Sequence, residues 1–149
     1  MRAVIQRVTE AKVLEKNRQI AEIKNGLVVL VAIAKDDTAK DVVFLANKLK
    51  DIRIFDDEKG KLNLSIEEVK GEILLISNFT LLGKVFRGKR PDFTEAESFE
   101  KAKELYDYLL TTLKSIGLPI KSANFGKDMQ VHLINDGPVT IILDTKGDL

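Results

Sequence analysis

The sequence contains no cysteine and only one histidine, His132, among its 149 residues. These absences exclude disulfide bonds, thiol nucleophiles, cysteine metal ligands and any metal site built from several histidines. The longest apolar run, residues 27–34, is far shorter than the ~20 residues that a membrane-spanning helix requires. No secretory signal is visible, because Gln6 and Arg7 interrupt the short apolar stretch at the start. We therefore expect a soluble, cytoplasmic protein without a membrane partner, a metal or another cofactor.

The chain also lacks an excess of charge of either sign. Its formal net charge is +1, so no global electrostatic attraction draws it to nucleic acid or to an anionic membrane. Any polyanion would have to be met by a local patch. Apolar residues make up 44% of the chain, which is enough for a real core. The length fits one domain over residues 1–149.

Alternation and turn signals predict a chain rich in strands. The predicted strands cover residues 2–8, 11–14, 19–23, 27–34, 52–55 and 72–76. Two of them, residues 27–34 and 72–76, are continuously apolar, which is typical of strands buried on both faces.

Two segments have the periodicity of helices instead. In residues 38–50, apolar side chains share one helical face, and Thr38 with Asp41 resembles a capping box. A second helix runs from Phe99 towards Gly117, with Thr94 and Glu97 as its predicted capping box.

Near the carboxyl end, Asp136-Gly137 is a strong hairpin signal between two apolar runs. It predicts a hairpin of residues 130–134 and 139–143, although Pro138 removes a backbone donor where the second strand should begin. The tally is seven or eight strands and two helices.

Candidate catalytic groups are few. His132 lies in a predicted strand, and a lone strand histidine is more often structural than catalytic, so we do not expect a histidine-based triad. The segment Ser77, Asn78, Phe79 and Thr80 follows a buried strand, where hydroxyls, an amide and backbone N–H groups could converge on a carbonyl oxygen. The other interpretation is a strand end that becomes a polar turn.

Residues 83–91 concentrate positive charge. Lys84, Arg87, Lys89 and Arg90 lie there without an acid among them, and Phe86 and Phe93 could stack on bases. This combination suits the backbone and exposed bases of a single-stranded nucleic acid end. A solvated basic loop is the alternative.

Six motifs resemble those of one family in order and spacing, over essentially the whole chain. They are MRAVIQRV, RIFDDEKGKLNLS, SNFTL, KRPDF, FGKDMQV and NDGPVT. Each is weak alone, but together they identify the chain as similar to the D-aminoacyl-tRNA deacylases. The resemblance implies an α/β fold, a three-layer β/β/α sandwich with mixed, largely antiparallel sheets and two main helices, built as a homodimer.

The implied reaction is hydrolysis of the ester between a D-amino acid and the terminal adenosine of tRNA, with mischarged glycine as a further substrate. The residues Ser77, Asn78, Phe79 and Thr80 align with the family's catalytic signature. Since no base is near, we expect Thr80 to position substrate rather than attack it. The 2′-hydroxyl of the tRNA would assist water, and the N–H of Phe79 would stabilise the oxyanion.

The resemblance also assigns a role to Gly137 and Pro138. In the family this peptide bond is cis and enters the active site of the partner subunit, where its carbonyl groups exclude an L side chain. Arg7 matches an arginine that helps to orient the motif. Contacts to the tRNA end or the substrate are implied for Lys84, Arg87, Lys89, Arg90, Pro91, Phe93, Phe125, Met129 and Asn135.

Two positions depart from the family pattern: Asn78 replaces a glutamine, and Lys127 replaces a small residue beside the predicted site. Three other functions stay open at this point. They are a non-catalytic module that binds RNA ends, an editing protein for L-aminoacyl-tRNA on the same fold, and a hydrolase of free D-amino acid esters.

Overall fold

The computed structural model describes residues 1–147, which form a six-stranded sheet, a two-stranded ribbon and two long helices. The chain opens with β1 (Arg2–Glu15), β2 (Arg18–Ile23) and β3 (Gly26–Ala32). Helix α1 (Ala39–Asp51) and the ribbon of β4 (Phe55–Asp56) and β5 (Leu62–Leu64) follow. The last elements are β6 (Glu72–Ser77), a 3-10 helix (Phe79–Leu82), α2 (Phe99–Ser115), β7 (Ile120–Ser122) and β8 (Gln130–Asp144).

The long strand β1 serves two hydrophobic cores, and this divides the sheet into two layers. Its first half contributes Ala3 and Ile5 to a core shared with both helices. Its second half contributes Ala11 and Val13 to another core, which also contains side chains of β2, β3 and β6. The predicted three-layer β/β/α sandwich is therefore confirmed, and four of its six strand pairings are antiparallel.

The chain's crossovers explain why both helices lie on one face. The sheet order is β2-β1-β3-β6-β7, with β8 also paired to β1, and the pairs β3–β6 and β6–β7 are parallel. Each helix lies in a connection between parallel neighbours, and right-handed crossovers that step in one direction place their helices on one face. The carboxyl ends of β3 and β6 consequently meet at one edge, where open parallel sheets commonly form binding clefts.

The first predicted helix is confirmed together with its cap. The Thr38 hydroxyl accepts a hydrogen bond from the backbone of α1, and the Asp41 carboxylate accepts one from the Thr38 N–H at 2.8 Å. The capping box predicted for the second helix is wrong. Helix α2 begins at Phe99, because the N–H of Glu97 donates to the carbonyl of Ile33 and holds the preceding segment against the end of β3.

The predicted hairpin at Asp136-Gly137 is also wrong. Its two arms belong to one strand, β8, which runs antiparallel to β1 from Asp144 opposite Arg2 to Gln130 opposite Leu14. Between the pairs Val8–Asn135 and Gln6–Thr140, β8 carries extra residues that bulge out of the register. The Asp-Gly pair bends the strand without reversing it, since β1 supplies a partner on both sides of the bend.

Two other strand predictions need correction. Residues 2–8 and 11–14 are not separate strands but parts of the 14-residue β1. The strand predicted over residues 52–55 shortens to β4, because Ile52 still caps α1 by donating its N–H to Lys48. Within residues 1–147, no helix is long and apolar enough to cross a membrane.

Candidate active site

A cleft of about 640 Å³ opens where the parallel strands β3 and β6 end. Its apolar floor includes Val31, Ile33 and Ile76. Its walls come from the 3-10 helix, the start of α2 and the loop that follows β7. The wall residues are Ser77, Asn78, Phe79, Phe93, Glu97, Phe99, Phe125, Gly126, Lys127, Asp128 and Met129. The volume is within the ~300–1,000 Å³ usual for small-molecule sites.

The segment that follows β6 presents unpaired backbone donors at the cleft. The N–H of Asn78 still donates to Val31 at 2.7 Å, and the chain then turns into the 3-10 helix. Among the described residues, neither the Phe79 N–H nor the Thr80 N–H donates to another protein group. Donors of this kind can stabilise the negative charge that develops on a carbonyl oxygen during acyl transfer.

The hydroxyl of Thr80 has an amide as its neighbour. It donates to the Asn78 side-chain oxygen at 2.5 Å, and an amide oxygen cannot serve as a general base at neutral pH. His132 lies elsewhere, exposed on β8 opposite Lys12. Within residues 1–147, the Thr80 hydroxyl therefore has no titratable partner that could activate it as a nucleophile.

Aromatic rings form two edge-to-face pairs in the cleft wall. The Phe79 and Phe93 ring centroids are 5.2 Å apart, and those of Phe99 and Phe125 are also 5.2 Å apart. Tyr106 supports Phe125 from below and donates its hydroxyl to the Leu75 carbonyl at 3.0 Å. Burial raises the pKa of the Tyr106 hydroxyl to about 12, so it stays protonated and keeps this hydrogen bond.

The bulge of β8 lies on the surface and contributes no residue to the cleft of its own chain. The Gly137–Pro138 peptide bond is cis, and Gly137 has a φ of +130°. Arg7, 6% exposed, holds the bulge from beneath: its Nε donates to the Asp136 carbonyl at 3.1 Å. Its Nη1 donates to the Ile54 carbonyl at 3.1 Å and to the Asp56 carboxylate at 3.0 Å.

The model of one protein family, described as D-Tyr-tRNA(Tyr) deacylase, matches residues 4–144. The chain belongs to the D-Tyr-tRNA(Tyr) deacylase family. Relatives named D-aminoacyl-tRNA deacylase include one from Thermotoga petrophila, 50% identical with 97% of each chain covered. Another, from Fusobacterium nucleatum, is 50% identical over 98% of this chain and 97% of the relative. The resemblance read from the motifs is thus confirmed, and with it membership of a family of deacylase enzymes.

Two solved structures share the fold. One is the c-Myc DNA unwinding element binding protein, with a TM-score of 0.91, 42% identity, and coverage of 97% of this chain and 98% of the other. The second is a probable eukaryotic D-amino acid tRNA deacylase, with a TM-score of 0.83 and 17% identity, covering 95% and 97%. At 17% identity, the second comparison supports the fold alone.

The structure separates the site residues predicted for this deacylase-family chain into three groups. Those in the cleft wall are Ser77, Asn78, Phe79, Phe93, Phe125 and Met129, with Thr80 directly behind Phe79. Those on the β8 bulge or beneath it are Arg7, Asn135, Gly137 and Pro138. The side chain of Asn135 braces the bulge, because it accepts from the Val139 N–H at 3.0 Å.

The third group is the basic loop, which lies beside the cleft and not within its wall. Lys84 pairs with Glu95 at 2.5 Å and forms a backbone bridge to Asp92, so part of the predicted charge is neutralised. The exposed residues Arg87, Lys89, Arg90 and Pro91 follow. Within residues 1–147, the three cations of this stretch form no ion pair.

Sequence reasoning missed Glu97 and Gly126 as cleft residues. The sequence predicts Glu97 as a capping residue. Its carboxylate instead accepts a hydrogen bond from the Ser98 N–H and pairs with Lys101, and both contacts lower its pKa. Gly126 has a φ of +73°, and a Cβ there would lie 2.3 Å from the Phe99 ring. The glycine between Phe125 and Lys127 was a usable signal, since only glycine permits this close approach.

Proposed function

We propose that the protein hydrolyses the ester bond of D-aminoacyl-tRNA, releasing free tRNA and the D-amino acid. Membership of the deacylase family supports the reaction. The observation that carries the proposal is the cleft at the end of β6, where the N–H of Phe79 has no protein acceptor within residues 1–147. An ester carbonyl placed there gains a donor that strengthens as its oxygen becomes negative.

The mechanism needs little from the protein's side chains. Water attacks the ester carbonyl, the Phe79 N–H stabilises the oxyanion, and the carbon–oxygen bond to the ribose breaks as that oxygen takes up a proton. The 2′-hydroxyl of the terminal adenosine assists the water. Thr80 positions the segment through its hydrogen bond to Asn78, and the absence of a base beside Thr80 in the described residues supports this division of roles.

We place the rejection of L-aminoacyl-tRNA on Gly137 and Pro138 of a partner subunit. The motif is exposed, makes no part of its own cleft, and is braced from below by Arg7. A braced main-chain group can exclude a side chain on one face of the substrate, whereas a D side chain points away. Glycine has no side chain to exclude, so glycine mischarged on tRNA is a substrate as well.

The partner subunit is a second copy of the chain. Within residues 1–147, β8 pairs only with β1, which leaves its other edge open. Ile134 and Ile142 of the same strand are 53% and 59% exposed. Open strand edges and exposed apolar side chains favour association, so a homodimer through this side of the molecule is the expected assembly.

The terminal adenosine of the tRNA binds across Phe93, Phe125 and Met129, with the basic loop beside it. Stacking on the aromatic pairs would hold its base, and Arg87, Lys89 and Arg90 would meet phosphates of the acceptor stem. This arrangement suits an RNA end better than a free D-amino acid ester, which offers no phosphate.

The test is incubation of purified protein with D-tyrosyl-tRNA carrying a labelled amino acid, with and without a chelator. We expect release of D-tyrosine and intact tRNA in both samples. Binding of the tRNA without release would favour a non-catalytic module for RNA ends, and equal cleavage of the L ester would favour an editing protein for L-aminoacyl-tRNA.

A further inference from the structure

A second groove of about 530 Å³ continues from the cleft towards the β1–β2 turn. The groove and the cleft share one wall, residues 126–129. The opposite wall of the groove includes Lys16 and Asn17 at the turn. An RNA strand whose terminal nucleotide lies in the cleft can therefore continue along the groove in contact with the protein.

The turn that forms the opposite wall is tightly constrained. Glu15 pairs with Arg18, and the two residues between them have positive φ angles, 48° at Lys16 and 64° at Asn17. This is the geometry of a two-residue hairpin turn. The Asn124 amide donates to the Glu15 carboxylate at 2.8 Å and links the turn to the loop after β7. The two walls of the groove are thereby connected.

The groove offers charges suited to RNA. Lys16 and Lys127 are exposed and, within residues 1–147, form no ion pair. Two acids, Glu15 and Asp128, also line the groove. Carboxylates accept hydrogen bonds from cytosine amino groups and ribose hydroxyls, while lysines meet phosphates, so a mixed set suits a single strand better than a bare anion.

We propose that this groove binds the single-stranded RNA directly preceding the terminal adenosine, with Lys16 and Lys127 each contacting a phosphate. The inference rests on the proposed function, since it takes the aminoacylated adenosine to occupy the cleft. It adds a route for the substrate on the side of the cleft away from the basic loop. It also gives Lys127, which departs from the family pattern, a role in substrate binding.

The experiment compares wild type with the double variant Lys16→Gly/Lys127→Gln on two substrates, D-tyrosyl-tRNA and the D-tyrosyl ester of adenosine alone. Glycine suits the positive φ at residue 16, so the variant keeps its fold. We expect kcat/KM for the tRNA to fall roughly tenfold at low salt, mainly through KM, and kcat/KM for the nucleoside ester, which carries no phosphate, to fall much less. A plot of log kcat/KM against log salt has a negative slope, and this slope should become shallower by about 1.4, or ~0.7 for each lost phosphate contact.

The matched control is Lys70→Gly/Lys40→Gln, since Lys40 is exposed in the first turn of α1 and lines neither the cleft nor the groove. Lys70 also has a positive φ, 54°, and lies before the start of β6, at the end away from the cleft. The control should behave as wild type on both substrates. Unchanged tRNA kinetics in the groove variant, or an equal loss on both substrates, would overturn the proposal.

A binding measurement separates this proposal from the proposed reaction. Fluorescence anisotropy with uncharged tRNA should show the same loss of affinity and the same change in salt dependence in Lys16→Gly/Lys127→Gln. If wild type binds tRNA through these lysines but hydrolyses no ester, the proposed reaction is wrong, while the proposed binding of RNA in the groove is supported. If the variant binds uncharged tRNA as tightly as wild type, the groove is wrong.

Discussion

Arg7 and Asp136 meet twice: the Arg7 Nε donates to the Asp136 backbone carbonyl at 3.1 Å and lies 3.5 Å from its carboxylate. The arginine is buried, while the aspartate side chain is 50% exposed. The planar guanidinium thus binds the main chain immediately before Gly137 through Nε. Its Nη1 donates to the Ile54 carbonyl and the Asp56 carboxylate. The orientation of the surface bulge depends on a group inside the fold.

Replacing Arg7 with lysine should weaken enantiomer selection more than catalysis. A single ammonium cannot satisfy all three directions of the guanidinium, so the bulge loses its fixed orientation. We expect the ratio of D to L hydrolysis to fall about tenfold and the free energy of unfolding to fall by about 1–3 kcal/mol. Matched kinetics on the D- and L-tyrosyl-tRNA measure the ratio. Asp56→Asn, which keeps the contacts to Asp136, is the control and should retain selectivity.

Thr80→Val should remain active, because the Thr80 hydroxyl only positions the segment and does not attack the ester. Loss of the hydrogen bond to Asn78 should lower kcat/KM for D-tyrosyl-tRNA less than tenfold. Thr80→Ser, which retains the hydroxyl, should recover wild-type rates. A fall of a thousandfold or more in Thr80→Val, with its fold intact by circular dichroism, would identify Thr80 as the nucleophile.

Gly126→Ala should narrow the cleft. The new Cβ would lie 2.3 Å from Cε2 of Phe99, so the ring must move into the cleft or the loop must shift. Gly60→Ala is the control, because φ is +74° there and no atom lies within 4 Å of the new Cβ. Both variants should lose about 1 kcal/mol of stability from the left-handed backbone. Only Gly126→Ala should raise KM for D-tyrosyl-tRNA severalfold.

Stability should fall in acid through Asp41. Burial raises the pKa of this carboxyl, but hydrogen bonds from Thr145, Thr38 and Lys146 outweigh burial and lower it from 3.8 to about 2. Because the folded pKa lies below the unfolded one, the stabilisation is complete above 3.8 and disappears as the pH falls towards 2. Urea unfolding should show Asp41→Asn less stable at pH 7, with the difference shrinking below pH 4. The control is Asp107→Asn, on α2, which should lose little stability at pH 7 or below pH 4.

The parts of the fold that could be predicted from the sequence depend on local signals. Thr38 and Asp41 define the start of α1 because both partners of the cap lie within one turn. The apolar runs of β3 and β6 predicted buried strands, since burial on both faces requires unbroken hydrophobicity. The segment from Ser77 to Thr80 was predictable as a strand end, and it does line the cleft or directly adjoin it.

The errors occurred where distant contacts override local preference. Asp136-Gly137 prefers to reverse the chain, but β1 pairs with β8 on both sides of the bend and keeps the strand running. Glu97 has the spacing of a capping box with Thr94, yet its backbone is held by Ile33 at the end of β3. Neither partner is near in sequence, so periodicity and turn signals could not predict the outcome.

The most direct measurement is kcat/KM for hydrolysis of D-tyrosyl-tRNA and L-tyrosyl-tRNA by the same purified protein, at one salt concentration and with an enzyme-free control for spontaneous loss. We expect efficient release of D-tyrosine, while L-tyrosyl-tRNA decays at the enzyme-free rate. Comparable hydrolysis of both esters would contradict the proposed rejection by Gly137 and Pro138, and hydrolysis of neither would contradict the proposed reaction.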